Sequence, residues 1–66
     1  MQIRVNGRPQ DVPAGATVAD LVHLLALEPR RIAVERNKRL VRRTEYADTA
    51  LTDGDVVEIV TLVGGG

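Results

Sequence analysis

The sequence has 66 residues, no cysteine, one histidine and a formal net charge of zero. A chain this short buries only about 60% of the surface its unfolded form exposes, so it holds one small core and no deep catalytic cleft. The absence of cysteine excludes disulfides and Cys/His zinc sites, and the fold must stand on packing alone.

The opening MQIRVNG alternates Ile3 and Val5 with Gln2 and Arg4, the pattern of a half-buried strand. Asn6-Gly7 predicts a type I′ hairpin turn, and the partner strand runs from Arg8 to Val12 and stops at Pro13. Thr17 and Asp20 are spaced as a helix N-cap and an acid in the first turn. Val18, Leu21, Val22 and Leu25 then form one apolar stripe, which Leu24 widens. Pro29 sets an end near Leu27.

RIAVER predicts a third strand, and NKRLVR a turn and a brief fourth strand around Leu40 and Val41. RTEYADTAL has no clean period and has room for one helical turn. After the Asp53-Gly54-Asp55 turn, VVEIVTLV is the most strand-like segment. The order β-β-α-β-β-β predicts an α+β domain over residues 1–63, a mixed sheet with one main helix across one face. The expected core is Ile3, Val5, Leu21, Val22, Leu25, Val34, Val57 and Ile59.

Most polar candidates have ordinary readings. His23 lies off the apolar stripe with no Cys, Ser or second His to work with, and is expected to face solvent. Asp53 and Asp55 flank a turn glycine, where aspartate bonds its own backbone, and two carboxylates do not satisfy a calcium ion. Arg30 to Arg43 holds seven basic residues against Glu35 alone, whereas five acids and no base follow from Thr44. With one Tyr and no Phe or Trp, the basic segment lacks a stacking platform for bases, so nucleic acid is not the expected partner. It reads instead as a solvated or protein-facing surface. No apolar run is long enough to span a membrane and no signal-peptide core opens the chain, so a soluble, cytoplasmic protein is expected.

Two features point to a partner. If Val57 and Ile59 face the helix, Val56, Glu58, Val60 and Leu62 face away, and three of these four are apolar. Val60 and Leu62 are therefore the expected anchors of a docking patch, flanked by Arg39 and Arg42 on a neighbouring strand. The second feature is Gly64, Gly65 and Gly66. Glycine is costly to order and packs nothing, but it passes through a narrow channel. This suits a terminal carboxylate that must reach a partner's active site, there to be activated as an acyl-adenylate.

The length, MQIRVNG, AGATVADLV, IAVERN, DGDVVEIV and the final Gly65-Gly66 together resemble the ThiS family of β-grasp, ubiquitin-like sulfur carriers, over the whole chain. One departure is visible: Lys38 and Arg42 stand where the family often has Gly and Pro. The resemblance implies a non-enzymatic carrier that binds no cofactor itself. A ThiF-like adenylyltransferase, using ATP and magnesium, would adenylate Gly66. Sulfur drawn from cysteine by a desulfurase would convert it to a thiocarboxylate, and a ThiG-type thiazole synthase would take that sulfur for thiamine biosynthesis. The free carrier is expected to be a monomer. The alternatives are a molybdopterin synthase small subunit, a sulfur carrier for cysteine or methionine synthesis, and a ubiquitin-like interaction module with a silent tail.

Overall fold

The computed structural model describes residues 1–63; Gly64, Gly65 and Gly66, the expected tail, lie outside the described residues. Strands β1 (Gln2–Val5) and β2 (Arg8–Asp11) form an antiparallel hairpin. Asn6 and Gly7 turn it with φ of 52° and 82°, the positive values a type I′ turn demands. Helix α1 (Val18–Leu24) follows, then a 3-10 turn (Pro29–Arg31). Strands β3 (Ile32–Arg36) and β4 (Arg39–Val41) make a second antiparallel hairpin, a longer 3-10 segment covers Arg43–Asp48, and β5 (Val56–Thr61) closes the fold. The sheet order is β2-β1-β5-β3-β4, with β5 central, parallel to β1 and antiparallel to β3. This is the expected mixed α+β sheet with one main helix.

The helix starts where the sequence places it. Thr17 Oγ1 accepts from the Asp20 amide at 3.2 Å, and an Asp20 carboxylate oxygen accepts from the Thr17 amide at 2.8 Å, a reciprocal capping box. It ends earlier than Pro29 implies. Ala26 adopts φ 56°, its amide donates to the His23 carbonyl, and the Leu27 amide donates to the Val22 carbonyl. That is a Schellman closure, built on an alanine where glycine is the usual residue.

The earlier stop changes the core. Val18, Leu21 and Val22 are buried, Leu25 is half-buried and packs against the edge of the core, and Leu24 is 53% exposed, so the stripe ends at Leu25 and excludes Leu24. Val5 is also only half-buried, because it sits at the rim where β1 turns into Asn6. The expected Ile3, Leu21, Val22, Val34, Val57 and Ile59 do form the core. Val12, Ala16, Val18, Ile32, Val41, Tyr46 and Leu51 complete it. Tyr46 and Leu51 come from the segment without a period: the 3-10 turns fold it against α1, so its burial follows no 3.6-residue repeat.

Candidate functional site: the outer face and end of β5

Two asparagines and one aspartate fix β5. Asn6 Nδ2 donates to the Ile59 carbonyl at 3.0 Å, and Asn6 Oδ1 accepts from the Ile59 amide at 2.7 Å. The side chain thus performs the pairing that another residue of β1 would have made. At the other end of β5, Asn37 Oδ1 accepts from the Val56 amide and the Asn37 amide donates to the Val56 carbonyl. Both asparagines sit at positive φ in tight hairpin turns. Asp55 is buried and accepts from four groups: Arg36 Nε at 2.7 Å, Asn37 Nδ2, and the Thr52 amide and hydroxyl. Burial alone would raise its carboxyl pKa; the Thr52 amide, the Arg36 guanidinium and the other donors outweigh this and hold it well below the usual carboxylate range. The expectation of turn chemistry holds for Asp55, which accepts from the Thr52 amide, but not for Asp53, whose Oδ1 accepts from the distant Gln2 amide at the start of β1. Sequence reasoning missed that Asp55 also ties the β3–β4 hairpin to the base of β5.

Held this way, β5 turns Val57 and Ile59 toward the helix and leaves its other face open. Val56, Val60 and Leu62 are each about half exposed, Val60 at 56% and Leu62 at 53%. No described element covers them. Cross-strand register extends the patch. Ala33 lies opposite Val60, and Leu40, 66% exposed, lies opposite Glu35, which lies opposite Glu58. Arg4 lies beside Val56 on the β1 side. The outer face is therefore an apolar strip interrupted by two carboxylates that face each other.

The two arginines expected beside the patch separate. β4 borders β3 and not β5, so neither arginine is on the strand next to Val60. Arg39 is in register with Arg36, which is in register with the buried Val57, so Arg39 belongs to the helix-bearing face. The expectation that it flanks the patch is corrected: an odd-numbered position on β4 points to the opposite side from Leu40. Arg42 alternates with the buried Val41 in extended conformation and falls on the outer side. Sequence inspection could not find Ala33, Glu35 and Leu40 as parts of the patch, because strand order and register are needed to place them.

His23 is exposed, as expected. Among the described residues there is no group of three or more His, Asp or Glu that could hold a metal, and no helix is long and apolar enough to cross a membrane.

Residues 3–66 match the ThiS family model. A sulfur carrier protein ThiS of Bacillus subtilis is 44% identical over 50 residues, 76% of each chain. A thiazole synthase of Paramagnetospirillum magneticum is 41% identical over 66 residues, all of this chain but 20% of that protein, so the chain spans about a fifth of the length of that relative. The crystal structure of the thiamine biosynthesis protein ThiS from Geobacter metallireducens superposes with a TM-score of 0.86 at 32% identity, covering 100% of both chains. The mixed five-stranded sheet with one helix is thus the β-grasp fold, and the chain belongs to the ThiS family.

Proposed function

We propose that this protein is a sulfur carrier of thiamine biosynthesis, a recyclable co-substrate and not a catalyst. The match to the ThiS family over residues 3–66 carries this reading. In the proposed cycle, a carboxylate oxygen of Gly66 attacks the α-phosphorus of ATP in a ThiF-like adenylyltransferase, with magnesium bound by that enzyme, and pyrophosphate leaves. The terminal sulfur of a desulfurase-derived persulfide attacks the acyl carbon and displaces AMP to give an acyl disulfide, and a thiol reductant then cleaves the S–S bond, being oxidised to a disulfide and leaving the thiocarboxylate. The thiocarboxylate sulfur is more nucleophilic than the oxygen it replaces, and a ThiG-type thiazole synthase receives it. A protein tether delivers it by docking, which avoids free sulfide. A thiazole synthase relative that contains a region like this whole chain favours that enzyme as the recipient over molybdopterin synthase.

The division of labour fits the physical chemistry of the chain. The rigid sheet supplies recognition through Val60, Leu62 and their outer-face neighbours, with Arg42 at the margin. Gly64 and Gly65 supply a side-chain-free lead for the reacting group. Misplacing a reacting atom by about 1 Å costs on the order of 10²-fold in rate. A one-residue extension moves the carboxylate by roughly 3.5 Å. ATP-dependent pyrophosphate release by the adenylyltransferase should therefore be lost when one alanine is added after Gly66, and strongly reduced in Gly66→Ala. Wild-type release from the extended, untrimmed chain would refute the assignment of Gly66.

A further inference from the structure

The main-chain groups of β5 divide by parity. The Asn37 amide donates to the Val56 carbonyl and the Leu62 amide to the Arg31 carbonyl, so even-numbered residues bond toward β3. Odd-numbered residues point to the β1 side. There the Arg4 amide donates to the Asp55 carbonyl, the Asn6 amide donates to the Val57 carbonyl, and the Asn6 side chain brackets Ile59. Beyond Ile59 the β1 line has ended, because Asn6 and Gly7 turn the chain into β2. Thr61 and Val63 are next in the odd series, both are exposed, and their main-chain groups on this side have no partner among the described residues. A central strand of the sheet thus becomes an open edge over its last residues while its other side stays paired as far as Leu62.

We infer that this open edge, Thr61 to Val63, is a docking site for an extended backbone segment of the adenylyltransferase, which adds a short strand in line with β1. This rests on the function proposed above. Two observations select that occupant. The edge runs directly into Gly64, the start of the segment the enzyme has to handle. It borders Leu62 and Val60, so a strand seated there meets the outer-face patch in the same approach. Main-chain pairing gives a docking mode that fixes the direction of the following residues with no demand on their side chains.

Proline substitution reads the parity directly. Thr61→Pro deletes an amide that no intramolecular bond uses, and strand edges accept proline on their open side. It should leave the melting temperature near wild type and weaken binding to the ThiF-like adenylyltransferase of the same genome by about tenfold or more. Thr61→Ala should bind as wild type. Leu62→Pro deletes the bond to Arg31 and should lose stability. Amide exchange supplies an independent readout: Thr61 and Val63 should exchange fast in the free carrier and become protected when the enzyme is added. Thr61→Pro binding as tightly as wild type, Thr61→Ala losing as much as Thr61→Pro, or fast exchange persisting in the complex would each overturn the inference while leaving the carrier function standing. Concentration-dependent protection of Thr61 in the carrier alone would assign the edge to a second copy and also overturn it. A carrier that is neither bound nor adenylated by the enzyme would remove the proposed function, and this docking mode with it.

Discussion

Among the described residues, four non-glycine residues adopt positive φ, and two of them, unlike Asn6 and Asn37, are not asparagines, which tolerate it. Ala26 closes α1 at φ 56°, and Lys38 sits at φ 69° in the β3–β4 turn. The left-handed conformation costs an L-residue roughly 1–2 kcal/mol, partly offset because glycine has more freedom to lose on folding. Ala26→Gly and Lys38→Gly should each raise stability by about 0.5–1 kcal/mol, measured by urea denaturation. The departure at Lys38 noted in the sequence is thus an energetic one, confined to a turn far from the tail in the fold's logic. Asp55 works in the opposite direction. Its folded-state pKa is depressed, so as pH falls the unfolded chain takes up this proton first and unfolding gains. The contribution is fully present above the ordinary carboxylate value of about 4 and is lost as pH drops below it toward the folded-state value. Asp55→Ala should cost about 2–3 kcal/mol at neutral pH, below the range for fully buried pairs because Arg36 is partly exposed. It should also flatten the acid limb of stability against pH; an unchanged acid limb would mean that Asp55 is not the group responsible.

At the scale of elements, β5 is the organising strand, with one buried and one exposed face. The buried face holds the fold, so Val57→Ala should be strongly destabilising, on the order of 2 kcal/mol or more. On the outer face, Val60→Asp should leave the melting temperature nearly unchanged while reducing affinity for the proposed adenylyltransferase, because Val60 is 56% exposed and is not part of the buried core. A large fall in melting temperature would show that the outer face is structural. Glu35 and Glu58 lie directly opposite each other on that face, an arrangement that costs stability. Glu58→Gln should therefore stabilise the protein by on the order of 0.3 kcal/mol.

Much of this architecture was legible as local chemistry. Asn6-Gly7 announced the first hairpin, Thr17 and Asp20 the start of the helix, and the alternation from Val56 to Val60 the two-faced final strand. What was not legible depended on longer range. Nothing near Pro29 reveals that Ala26 ends the helix first, which is why Leu25 was expected to be more deeply buried than it is. Nothing in β4 reveals that β3 separates it from β5, which is why Arg39 was placed beside the patch. Tyr46 and Leu51 reach the core from 3-10 and irregular backbone, where burial has no period to read. The pairing of Asn6 with Ile59 spans most of the sequence and is carried by a side chain, so no strand pattern signals it.

At the scale of the whole molecule, the chain combines a sheet pinned at both ends of β5, an uncovered face and edge on that strand, and three glycines after it. In the proposed cycle, that strand leads directly into the residue that is activated. The most direct test of the account is the intact mass of this chain isolated from its native cell, with fragmentation to locate any change. A fraction should have one oxygen replaced by sulfur, the replacement lying at Gly66 and disappearing when the adenylyltransferase is deleted. A chain that carries no such replacement while thiazole synthesis is active, or carries it anywhere but Gly66, would contradict it.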